Sequence, residues 1–178
     1  LLRKVLVAAV ILVSPADARA ELPQFGAHDV QTVFFISKSD DKNRVDYGIH
    51  LNEHCAPTGD DAVFPYWHEF EFNPPHMHTL GLLEYVPYGF SEQRLVHRTL
   101  TGGDQLVRLK QLDRPILIQT KKEADGHCTA VARARVAGVE GAEFDSVYAK
   151  LAGPMSVDYI DIHGKNQQGA DIVERAHK

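Results

Sequence analysis

Long apolar runs, basic clusters and cysteines are all scarce in this chain, and each scarcity removes a class of function. The longest apolar run covers only residues 5–13, whereas a helix needs roughly 20 apolar residues to cross a hydrocarbon core. No retained membrane anchor is therefore expected. Basic residues number 19 against 24 acidic ones, a formal charge of −5, and they are scattered rather than gathered. Lys121-Lys122 is too short to make a patch, so neither nucleic acid nor an anionic membrane surface is an expected partner. Only Cys55 and Cys128 are present, without the paired spacing of a structural zinc site.

Catalytic signatures are missing as well. There is no Gly-x-Ser-x-Gly elbow, and Ser37-Lys38-Ser39 lacks Ser-x-x-Lys spacing. Gly102-Gly103 is followed by no Lys-Ser/Thr, so it reads as a turn rather than a phosphate loop. His127 and Cys128 are neighbours, and on a strand neighbours point to opposite faces, which argues against a thiol–imidazole pair. The expectation is a protein that binds rather than catalyses.

What is present begins with an ordered N-terminal pattern. Arg3 and Lys4 precede the apolar run, Ser14-Pro15 breaks it, and Ala18-Arg19-Ala20 offers a small-x-small cleavage site. Residues 1–20 are thus expected to be a secretory signal peptide, with the functional domain at 21–178 and a periplasmic or secreted location. Cleavage would remove three basic and one acidic side chain, moving the formal charge from −5 to −7. In an oxidising compartment an even pair of cysteines commonly bridges, so a Cys55–Cys128 disulfide is expected.

Beyond residue 30 the chain is a succession of β-branched and aromatic runs separated by turn residues. Strands are expected over residues 32–37, 45–51, 66–72, 90–96, 105–112, 115–120, 128–139, 144–151 and 157–162. Residues 78–85 carry Leu80, Leu83 and Glu84 at helical spacing, with Pro87 to end the helix. The polar tail over 167–178 fits a frayed helix or an edge strand. Turn signals about every ten residues, without repeats or linkers, imply an all-β single domain: an antiparallel β-sandwich or barrel with one or two short helices.

Several of these segments together resemble an uncharacterised bacterial family of exported proteins that carry only a domain of unknown function. They are Phe34-Phe35-Ile36-Ser37-Lys38-Ser39, Asn43-Arg44-Val45-Asp46-Tyr47, Tyr66-Trp67, Leu80 to Glu84 and Tyr88-Gly89-Phe90. Where that family has a basic helix end and Ala before Tyr-Gly, this chain has Tyr85-Val86-Pro87. The resemblance implies an exported β-rich domain and supplies no activity or ligand.

Histidine is the compositional anomaly: ten in all, five of them between positions 50 and 78. His50, His54, His76 and His78, with Met77 between the last two, are candidate ligands for copper or zinc, since imidazole with thioether or thiolate suits those ions. The competing expectation is that His50 and His54 are simply solvent-facing. Tyr66 and Trp67 must point one ring to each side of a strand. An exposed ring there would mark a contact surface for a ligand or protein partner. Finally, Glu69 with Glu71 or Glu84 is the pair that a carboxylate-dependent hydrolase would need; a solvated edge explains them as well.

Overall fold

Alternating apolar and polar residues over 45–51 commit one face of that segment to a core, and the polar turn before it lays the chain beside the preceding run. In the computed structural model, which describes residues 30–39, 41–59, 62–89, 98–99, 103–153 and 156–177, these runs form a hairpin. Strand β1 (Val30–Lys38) pairs antiparallel with β2 (Arg44–His50), with a bulge between Thr32 and Phe34. β3 (Val63–Glu69) and β4 (His76–Thr79) continue the sheet beyond β2, and a short helix α1 (Leu82–Tyr88) follows. A second arm is built from β5 (Arg98–Thr99), β6 (Gln105–Arg108), β7 (Pro115–Lys122) and β8 (Cys128–Val136). β9 (Val139–Gly153), β10 (Ser156–Lys165) and β11 (Asp171–His177) complete the chain.

The eleven strands among the described residues belong to one open sheet, ordered β4-β3-β2-β1-β9-β8-β7-β6-β5, with β10 pairing β9 and β11 pairing β10. The fork lies within β9. Its first residues pair with β8, its later ones with β1, and its other edge runs along β10. The arms fold face to face, so that Phe34, Tyr47, Ile49 and Trp67 from one share a buried cluster with Val107, Ile116, Ile118 and Val136 from the other. Phe144 of β9 sits in the same cluster, edge-on to Phe34 at 5.2 Å. At the fork, Gly164 of β10 lies opposite Phe144. A Cβ on Gly164 would stand 2.2 Å from the Glu143 carbonyl oxygen, so only glycine allows this approach.

The all-β expectation therefore holds, with corrections in detail. β1 and β9 run parallel, so the sheet is not wholly antiparallel. His78, expected to open the helix, belongs to edge strand β4, and α1 begins later, at Leu82. Pro87 lies inside its last turn, and Leu83 is 87% exposed, so the helical spacing was no core stripe. The third strand spans 63–69 rather than 66–72. The tail forms the edge strand β11. The leader 1–20, the lead-in 21–29 and the strand expected over 90–96 lie outside the described residues.

An ion pair pins β11 to the second arm. Arg114 reaches both carboxylate oxygens of Glu174, at 2.9 and 2.6 Å, and also donates to the Arg135 carbonyl. The Ala137 amide donates to Glu174 at 2.7 Å. Led by the Arg114 hydrogen bonds, these contacts hold the Glu174 carboxyl down at about 2, against an ordinary 4.5. A depressed folded-state pKa stabilises the fold above the ordinary value, and that contribution is lost as pH falls from 4.5 through about 2. Discounted for partial exposure, it is worth roughly 2 kcal/mol. Urea unfolding at pH 7 and pH 2.5 should show that loss in the wild type and a smaller one in Glu174→Gln. Equal pH dependence of the two proteins would refute the assignment.

Candidate functional site

β1 runs the length of the core, from a disulfide at one end to a cavity at the other. Cys55, in the β2–β3 loop, bridges to Cys128 at the start of β8, and no described cysteine is free. Gln31, early in β1, donates to the Cys128 carbonyl. The cysteine nucleophile is thereby excluded.

At the far end, the two arms and α1 enclose a cavity of about 380 Å³, within the roughly 300–1,000 Å³ of small-molecule pockets. Ile36, Leu109, Leu112, Val147, Val157 and Ile160 form its apolar walls, and Lys38, Gln111 and Tyr88 bring polar groups to it. No carboxylate, histidine or cysteine lines it among the described residues. Tyr88 is fixed from below, because the Tyr47 hydroxyl, itself buried, donates to the Tyr88 carbonyl at 2.6 Å. Burial raises the phenol pKa of Tyr88 above its ordinary value.

Trp67 packs edge-on against Tyr88 at 5.6 Å, and the Lys38 ammonium lies over the indole at 5.6 Å. Lys38 also pairs with Asp41 at 3.1 Å. The Trp67 indole nitrogen is buried and finds no acceptor among the described residues. A buried donor left unpaired costs about 1–3 kcal/mol, and the indole stands behind Tyr88 and is not itself among the residues that line the cavity. Sequence reasoning missed Lys38 and Tyr88 as site residues. Their shared position became visible only when α1 folded over the end of β1.

Tyr66 and Trp67 do point to opposite faces, but both are buried, at 4% and 8% exposure. The exposed-ring expectation is thus corrected: β1 and the second arm cover what a lone strand would expose. The Tyr66 hydroxyl pairs with Thr32 Oγ1 at 2.7 Å, and burial raises its pKa. Nor does the fold gather the four candidate histidines. His50 stacks on Phe64, which lies over Gly48, and His54 is exposed beside Glu53. His76 and His78 sit on β4, where His78 aligns with Trp67 and Val45. Val45 is five residues from His50, about 17 Å along the strand. Among the described residues no three His, Cys, Asp or Glu side chains are grouped to hold a metal. Glu69 lies near His78, whereas Glu84 accepts from the Gly81 amide at the start of α1, so the two carboxylates have separate tasks.

A second polar group occupies the outer face of the first arm. Asp46 is 1% exposed although it points away from the core. Arg44 donates to it through Nε at 2.5 Å and Nη2 at 3.3 Å, and His68 through Nδ1 at 2.9 Å. Phe70 stacks under His68 at 3.9 Å, while the Arg44 guanidinium covers Phe35 at 4.2 Å. These rings exclude water from the carboxylate. Alternation over residues 45–51 puts Asp46 on the face opposite the core, and these neighbours account for its burial there.

Comparison with curated proteins and with solved structures gave no match. The family comparison gave one, to DUF4833, a domain of unknown function, over residues 34–175. That span runs from β1 to β11 and includes every wall of the cavity. By this match across most of its length, the chain belongs to the DUF4833 family.

Proposed function

We propose that this domain binds an amphiphile, an apolar body ending in a carboxylate-class anion, in the cavity beneath α1, and does no chemistry on it. One observation carries the reading: an apolar-walled cavity whose lining, among the described residues, carries a single charged side chain, Lys38. The apolar body would occupy the space between Leu112, Val157 and Ile160. The anion would meet the Lys38 ammonium, in competition with Asp41. Among the described residues the lining has no acid–base pair, which supports binding without catalysis. The expected leader, together with a disulfide suited to an oxidising compartment, supports a periplasmic or secreted location.

Trp67 is the sole tryptophan and packs against Tyr88 of the lining, so its fluorescence reports on the site through that ring. Titration with dodecanoate should give a saturable change, and 1-dodecanol should bind roughly tenfold more weakly for want of a charge-assisted hydrogen bond. Lys38→Met should reduce dodecanoate binding to the level of the alcohol. Ala149→Phe, which fills the cavity, should weaken both ligands. Equal binding of acid and alcohol, or binding indifferent to Ala149→Phe, would remove the basis for this reading.

A further inference from the structure

On the outer face of the first arm, we infer a site for a soft monovalent metal ion, Cu(I), held by His68 Nε2 and Met77 Sδ. His68 stands on β3 between β2 and β4. Its Nδ1–H is committed to the Asp46 carboxylate on β2, which leaves Nε2 as the ring's lone-pair nitrogen, turned away from that strand. On the other flank, Met77 of β4 is the direct cross-strand partner of His68. Directly opposed residues share a face with Cβ atoms about 4.5–5.5 Å apart, within reach of one shared ion. The site differs from the four histidines singled out in the sequence: His76 and His78 point to the opposite face of β4 from Met77.

Three features favour a metal over a mere packing contact. A carboxylate on the remote ring nitrogen is the usual support of a metal-bound histidine; it fixes the tautomer and raises the basicity of the ligating nitrogen. Asp46 is held ready for this by Arg44 and is almost wholly shielded from water. The thioether then decides which metal. Imidazole with a soft sulfur selects Cu(I), whereas zinc and the harder divalent ions gain little from a neutral thioether. Phe70, stacked on His68, lowers the polarity around the pair, and the His68 side chain, 20% exposed, remains accessible from solution.

The test uses the full chain with its disulfide intact. Cu(I), kept reduced by ascorbate, is titrated in competition with bicinchoninate while the methionine methyl signals are followed by NMR. The sequence has only two methionines, Met77 and Met155, so the responding one is identified by a single Met77→Leu variant. One equivalent should bind, shifting the Met77 methyl and not that of Met155. Met77→Leu, close in volume and tolerated in packing, should weaken Cu(I) binding at least tenfold while leaving the melting temperature nearly unchanged. Asp46→Asn should weaken it by 10- to 100-fold. Because Asp46 is buried, that result counts only alongside Met77→Leu. Full affinity in Met77→Leu, or equal competition by Zn(II), would overturn the assignment.

Discussion

Replacing both Cys55 and Cys128 by serine should lower the melting temperature by roughly 8–16 °C. The bridge spans 73 residues, and in the loop-entropy account a loop of that size restricts the unfolded chain by about 4 kcal/mol. For a chain of this length each kcal/mol moves the melting point by about 2–4 °C. The folded state gives little back when the bridge is cut. Cys55 adopts a positive φ of 62° in a loop already organised by Asn52, whose side chain accepts from the amides of His54 and Ala56. Lys122 adds one donor, to the Glu53 carbonyl. Calorimetry of the double variant checks this. A shift of less than 3 °C would mean that the Asn52 loop and Gln31 already hold the two arms together.

The second large effect belongs to Phe144. It is fully buried where β9 passes from β8 to β1, packed edge-on to Phe34, which in turn stacks on Tyr47 at 4.4 Å. Phe144→Ala should cost about 3–5 kcal/mol, the sum of lost transfer energy and the cavity left behind. That cavity cannot collapse, because the opposite side is Gly164, whose backbone is already in close approach to Glu143. Phe144→Leu should cost less than half as much. Phe72→Ala, at a ring 43% exposed, should cost well under 1 kcal/mol. Denaturant midpoints of the three variants rank these effects. A Phe144→Ala variant as stable as Phe72→Ala would show that the arms do not depend on the fork for their packing.

Local pattern made the β1–β2 hairpin and β10 legible, because alternation over several residues leaves one face for the core and a polar cluster must turn. The cysteine pair was legible from its even count in a chain expected to be exported. The β8–β9 hairpin was not. Its two-residue turn is Ala137-Gly138, at φ 49° and 78°, and alanine in a left-handed position carries none of the Asn or Asp signal of such turns. Glu140-Gly141, which looks like the turn, lies inside β9. The candidate sites were hidden for a related reason. Lys38, Tyr88 and Trp67 come from three elements, and Asp46, His68 and Met77 from three strands, so each group exists only through sheet order. The histidine count drew attention to the right stretch of chain, but register paired His68 with Met77 instead of gathering the four histidines first singled out.

The placement of β1 between β2 and β9 has a consequence for how the molecule is made. Ser39 at the end of β1 holds the amide of Leu151, 112 residues away, and the parallel pairing beside it closes a loop of similar length. Contacts so distant in sequence are slow to form, because the entropy of closing the loop is lost before the contact is gained. The hairpin of β1 and β2 can form early, but one edge of β1 stays open until β9 arrives. The cavity, walled by β1, β9 and β10 together, therefore comes into being among the last features of folding, once nearly all of the polypeptide is available. A chain delivered end-first through a narrow opening would lack this cavity until delivery was almost finished.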